Sequence, residues 1–170
     1  MTCTNCTKNS VWEFTNQTKL CKKCFIDYFE RKIFRTIREF HIIKGKSVIY
    51  LKKENSLNNN VLKFVLKNKF SIKFSNNPDF SSENLSELAE NNFAEILKGN
   101  FKLLKSKKQN LFFPLQNASD KEIELYAELN KISGKKRKEN KGIRELFERF
   151  MKKNQDLEHN IINASEQLEL

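Results

Sequence analysis

The chain has four cysteines, and they fall into two matched pairs, Cys3/Cys6 and Cys21/Cys24, in the pattern C-x2-C-x14-C-x2-C. Two thiolates three residues apart on a tight turn both reach one metal ion, so two such knuckles can close a tetrahedron around it. The interval between the pairs lies just short of the usual range for paired knuckles. Thiolate-only tetrahedral coordination favours zinc, and the pattern is read as a zinc ribbon holding Zn2+ on Cys3, Cys6, Cys21 and Cys24. An iron–sulfur cluster on the same thiolates is the alternative. A closed four-thiolate site has no open coordination position, so its expected role is structural. No catalytic constellation accompanies it: His41 and His159 lack a nucleophile or acid–base partner, and the Asp and Glu residues show no paired signature.

Charge supplies the second kind of chemistry. The 170 residues carry a formal net charge of +11, which favours an anionic partner, nucleic acid being the commonest. Candidate phosphate contacts are Lys19, Lys22 and Lys23 around the second knuckle. A further run comprises Lys135, Lys136, Arg137 and Lys138, with Lys141 and Arg144 nearby. Lys102, Lys105, Lys107 and Lys108 form a third basic stretch. A solvated surface, or a disordered basic loop, is the plain alternative for each. Trp12 and Phe14, between the knuckles, are the aromatic residues best placed for base stacking, although packing beneath the metal is the simpler role. No apolar run is long enough to span a bilayer and no signal peptide precedes Cys3, so a cytoplasmic protein without a membrane partner is expected.

The elements that must position these groups follow from periodicity. Gly and Pro are scarce, at 4 and 2 residues, while 15 Phe supply apolar material, which suggests a helix-rich protein. The abundance of Asn reads as compositional bias rather than chemistry. A helix is expected from about Phe25 to Phe40, with Ile26, Phe29, Ile33, Ile37 and Phe40 on one side and Asp27, Arg31, Lys32, Arg35 and Arg38 on the others. Gly45 ends that pattern. Strands are expected at Ser47–Leu51, Phe70–Phe74 and Leu111–Leu115, with a helical segment at Val61–Leu66. Ser82 can cap a helix that Gly99 ends, and Ser119 with Glu122 forms a capping box. Ile143, Leu146, Phe147, Phe150 and Met151 mark a further helix, and Leu157 to Leu168 a last one. Strands alternating with helices imply an α/β fold with a small, mostly parallel sheet. The expected organisation is a zinc finger at 1–24 and an α/β domain at 25–170.

Several segments carry a family resemblance. Cys3-x-x-Cys6, Leu20-Cys21-Lys22-Lys23-Cys24-Phe25, Tyr28-Phe29-Glu30-Arg31-Lys32 and Thr36-Ile37 resemble the N-terminus of the tRNA 2-thiolation proteins, PP-loop ATP pyrophosphatase relatives that make 2-thiouridine in tRNA. Phe113-Pro114-Leu115, the stretch from Asp120 to Ile132, and Ile143-Arg144-Glu145-Leu146-Phe147 resemble the family's strand and helices after the catalytic core, with Ile96 to Asn100 a weaker echo. The resemblance implies a reduced, helix-rich Rossmann-like domain behind the ribbon. Active members carry Ser-Gly-Gly-Lys-Asp-Ser after the first strand, where glycines let backbone amides close on phosphate. Here the segment is Leu51-Lys52-Lys53-Glu54-Asn55-Ser56, with both glycines absent and Glu54 in place of the lysine. The family's catalytic cysteines have no counterpart, since no Cys follows Cys24. The implied role is a non-catalytic, degenerate subunit that pairs with a catalytic PP-loop subunit and helps to bind tRNA. The rivals are a stand-alone zinc-ribbon RNA-binding protein and a divergent tRNA thiolase.

Overall fold

The structure is a computed structural model that describes residues 1–39, 47–100, 111–138, 141–154 and 156–168. Phe40, His41, Gly45 and the basic stretch from Lys102 to Lys108 therefore lie outside the described residues. The chain begins with an antiparallel hairpin of β1 (Ser10–Glu13) and β2 (Lys19–Cys21), pairing Trp12 with Leu20 and Glu13 with Lys19. A register shift between Ser10 and Trp12 sets Ser10 opposite Cys21. Helix α1 (Lys22–Glu39) follows without a loop. It starts inside the second knuckle rather than at Phe25.

Strands β3 (Val48–Leu51) and β4 (Ser71–Phe74) pair in parallel, from Val48 with Ser71 to Leu51 with Phe74. A parallel pair needs a crossover, and α2 (Leu57–Leu66) supplies it. Single parallel bridges from Leu51 to Phe80 and from Phe80 to Phe112 carry the sheet outward. The segment Leu111–Leu115 thus contributes a bridge rather than the expected strand. Pro114 lacks an amide donor, and the chain turns there, with the N–H of Gln116 on the Phe113 carbonyl at 3.0 Å and that of Ala118 on the Leu115 carbonyl at 2.8 Å.

Helices α3 (Leu85–Leu97), α4 (Asp120–Asn130), α5 (Lys141–Met151) and α6 (Leu157–Leu168) complete the chain. Asn84, not Ser82, caps α3, its side chain accepting the Glu87 N–H at 2.9 Å, while the Ser82 hydroxyl donates to Glu54. The Ser119/Glu122 capping box forms as expected, and Gly99 follows α3 at φ 75°. The main core is continuous from Cys3, Leu20, Cys21 and Phe25 through Ile49, Leu51, Leu62 and Leu66 to Tyr126. Phe29 stacks on Tyr126 at 4.4 Å between ring centroids. A smaller cluster of Ala89, Phe147 and Ile161 joins α3, α5 and α6. The architecture is α/β, with a four-cysteine ribbon packed directly onto a helix-rich domain. No helix among the described residues is long and apolar enough to cross a membrane.

Candidate functional site

The hairpin and the N-terminus of α1 bring all four cysteine sulfurs within 4.8 Å of one another. Cys6 lies 3.3 Å from Cys21 and 3.6 Å from Cys24, sulfur to sulfur. A zinc–thiolate bond of about 2.3 Å gives a tetrahedral edge of about 3.8 Å, so one ion at the centre fits these separations. The first knuckle is built by backbone bonds: the Thr7 N–H meets the Cys3 carbonyl at 3.0 Å and the Cys3 N–H meets the Lys8 carbonyl at 2.7 Å. Thr7 turns the chain at φ 61°, a conformation unusual for a β-branched residue.

The electrostatics of the four thiols call for a cation. Burial opposes ionisation of Cys3, yet N–H groups of Cys21, Asn5 and Cys6 outweigh it and hold this thiol down at about 6. The Cys24 N–H lowers Cys21 in the same way. Hydrogen bonding with Cys6, then burial and the neighbouring sulfurs, push Cys24 up to about 12. Two thiolates are stabilised and the remaining thiols resist a third and fourth negative charge. A divalent ion removes that conflict.

A second place of interest is the loop after β3, where parallel sheets present their ligand sites. Residues 52–56 lead here into α2, and the chain's own groups occupy the helix end. The Glu54 carboxylate accepts the hydroxyls of Ser56 at 2.8 Å and Ser82 at 2.9 Å. The Ser56 hydroxyl accepts the Asn59 N–H at 3.2 Å, and the Leu57 N–H donates to the Lys135 carbonyl at 2.8 Å. The Asn59 amide ties down the carbonyls of Lys52 and Glu54, and the Asn60 amide holds that of Ser133. A phosphate at this helix end would meet a carboxylate, with the Leu57 and Asn59 amides already taken. Beside the loop lies a cleft of about 520 Å³ whose lining mixes Glu54, Glu83 and Glu87 with Lys52, Arg137 and Lys138.

The basic candidates divide between two regions. Lys22 and Lys23 are exposed in the first turn of α1, adding their charge to the positive end of that helix. Lys19 sits 3.5 Å from Glu13. Lys135 and Lys138 are exposed beside α2, whereas Lys136 pairs with Glu124 at 2.7 Å. Arg137 is held inside the protein, its side chain 12 % exposed, by Glu90 at 2.6 Å and Asp120 at 2.7 Å. Arg144 binds the same Glu90 at 2.6 Å. Arg137 therefore clamps α3 to α4, a role its own neighbourhood in sequence could not reveal. The helical pattern had placed Arg31 and Arg35 only on the polar side of α1; both line a groove between that helix and the hairpin. Their i, i+4 spacing was the available signal.

No protein-family model matches the chain, and no curated protein matches it in sequence. Among solved structures, the fold is similar to that of the U34-tRNA thiolase NcsA from Methanococcus maripaludis, determined with its [4Fe-4S] cluster. The TM-score is 0.81 at 13% sequence identity, over 99% of this chain and 87% of that one.

Proposed function

We propose that this protein is a non-catalytic subunit of a tRNA wobble-uridine 2-thiolation assembly. It pairs with a catalytic PP-loop subunit, uses its ribbon and basic surface to help bind tRNA, and holds one zinc ion on Cys3, Cys6, Cys21 and Cys24. The observation that carries this reading is the helix end of α2. In a fold like that of a U34-tRNA thiolase, the position where a phosphate loop would sit is closed by Glu54, the Ser56 hydroxyl and the Lys135 carbonyl. A carboxylate there repels phosphate, and amides already bonded cannot cradle it. Zinc is favoured over a cluster because the sulfurs converge within 4.8 Å, whereas a four-iron cube would hold its thiolates apart on its outer corners.

Affinity capture of the tagged chain from its source cell tests this. A PP-loop protein and tRNA are expected in the eluate, with one zinc per chain and no absorption of an iron–sulfur cluster. ATP is expected to leave the melting temperature unchanged. ATP-dependent 2-thiouridine formation by the isolated chain, or a nucleotide-induced rise in melting temperature, would overturn the non-catalytic role. Capture of tRNA without any protein partner would favour a stand-alone RNA-binding module.

A further inference from the structure

The face of α1 that meets the hairpin carries Asp27, Tyr28, Arg31 and Arg35, spaced so that all look into one groove of about 570 Å³. Phe14, Asn16 and Thr18 from the end of the hairpin, and Asn5 of the first knuckle, complete the lining. The apolar part of the lining is an aromatic pair, with Phe14 edge-on to Tyr28 at 4.9 Å between centroids. Both rings are half-buried, so neither is sealed in the core. Arg31 and Arg35 are exposed and make no hydrogen bond or ion pair among the described residues. Lys32, by contrast, is neutralised by Glu122 at 2.8 Å and does not add a free charge.

From these features we infer that the groove between the metal ribbon and α1 seats an unpaired nucleotide of an RNA strand. Its base lies against Phe14 and Tyr28, and its flanking phosphates meet Arg31 and Arg35. The volume suits one or two nucleotides and excludes a duplex. Aromatic faces beside unpaired guanidinium groups are the chemistry that holds single-stranded nucleic acid. The Asn5 amide and Asp27 carboxylate in the lining offer polar groups for a base edge, and the overall charge of +11 favours approach of a polyanion. This inference rests on the RNA-binding part of the proposed function and assigns it to residues outside the lysine runs.

The single tryptophan, Trp12, lies 6.0 Å from Phe14, so its emission reports occupancy of the groove. The probe is single-stranded oligouridylate of about eight nucleotides, added to the metal-loaded full chain, with total tRNA as a parallel ligand. Quenching of Trp12 by the oligomer is expected. Arg31→Gln with Arg35→Gln, both exposed positions, is expected to weaken binding and flatten the logarithmic salt dependence by about 1.4, two single-strand contacts of about 0.7 each. Phe14→Leu is expected to weaken binding about tenfold with the salt dependence unchanged. Metal content and melting temperature of both variants, equal to those of the parent, show that the fold is kept.

An unaltered salt slope in the double arginine variant, or unaltered affinity in Phe14→Leu, overturns the inference. Equal quenching by polyglutamate also overturns it, because the groove would then be an acidic-peptide site. If tRNA binds the double variant as it binds the parent, the groove assignment fails while the proposed function stands. If tRNA does not bind the parent at all, the RNA-binding part of that function fails, and the oligouridylate titration still decides the groove.

Discussion

Glu158 on α6 is buried among charges of both signs. Burial is the main cause that raises its pKa; the Ser86 hydroxyl and Arg144 oppose the rise, while Asp120 and Glu90 add to it. These groups come from α3, α4 and α5. Because the folded pKa is raised, folding favours the protonated acid. The stability this gives is present below the ordinary carboxylate range and is lost as pH rises through the folded pKa. Glu158→Gln is therefore expected to be more stable than the parent at neutral pH, with the advantage fading toward acid pH. Urea midpoints at pH 7 and pH 4 check this, and a less stable variant at pH 7 would contradict it. At this scale, legibility depended on how local the partners are. The cysteine knuckles could be read because three-residue spacing alone brings two sulfurs to one ion. The asparagines could not, because their partners are remote. Asn84 bonds Asp120 at 2.6 Å and Asn92 bonds Ser165 at 3.0 Å, so residues set aside as compositional bias join elements far apart in the chain.

The segment around Gly134 crosses the N-terminus of α2 at close range. A Cβ at Gly134 would lie 2.7 Å from the Leu57 Cα and 2.8 Å from its nitrogen. Both are backbone atoms that the Leu57 N–H bond to Lys135 holds in place. Gly134→Ala is expected to cost about 1–3 kcal/mol, read from urea unfolding; a neutral substitution would mean that the segment can lift away. The neighbouring Arg137 behaves as a joint of a different kind, since it satisfies two carboxylates from α3 and α4. Arg137→Met leaves Glu90 and Asp120 short of charge and is expected to cost about 3–5 kcal/mol. Lys138→Ala, at the next residue along the chain but exposed, should change stability by less than about 0.5 kcal/mol. Equal effects from the two would show that the buried cluster is not what holds the helices. All six helices were legible from apolar spacing, α4 also from the Ser119/Glu122 capping box. The third strand was misread because the apolar run Leu111–Leu115 outweighed Pro114, and the α3 cap because Ser82 is drawn to Glu54.

The whole molecule turns on whether the ribbon folds alone. The expected organisation is a finger at 1–24 followed by a domain at 25–170, and Cys3, Leu20 and Cys21 belong to the same buried cluster as Phe29, Leu66 and Tyr126. Helix α1 starts between Cys21 and Cys24 and buries Phe29, Ile33 and Ile37 in the main core, so it transmits any disturbance at the four cysteines. A structural zinc site in a small peptide provides on the order of 10–16 kcal/mol of binding free energy, comparable with the total stability of an ordinary domain. If a third of that reaches the shared core, about 3–5 kcal/mol, chelation lowers the melting temperature by roughly 10 °C. The shared core also requires the loss to appear everywhere at once. Trp12 emission, which reports the ribbon, and far-ultraviolet circular dichroism, which reports the six described helices, should then shift to the same lower midpoint in a single transition. Were Trp12 to change while the helical signal kept its original midpoint, the ribbon would be an independent unit, and its tie to the helices through α1 would carry no stability.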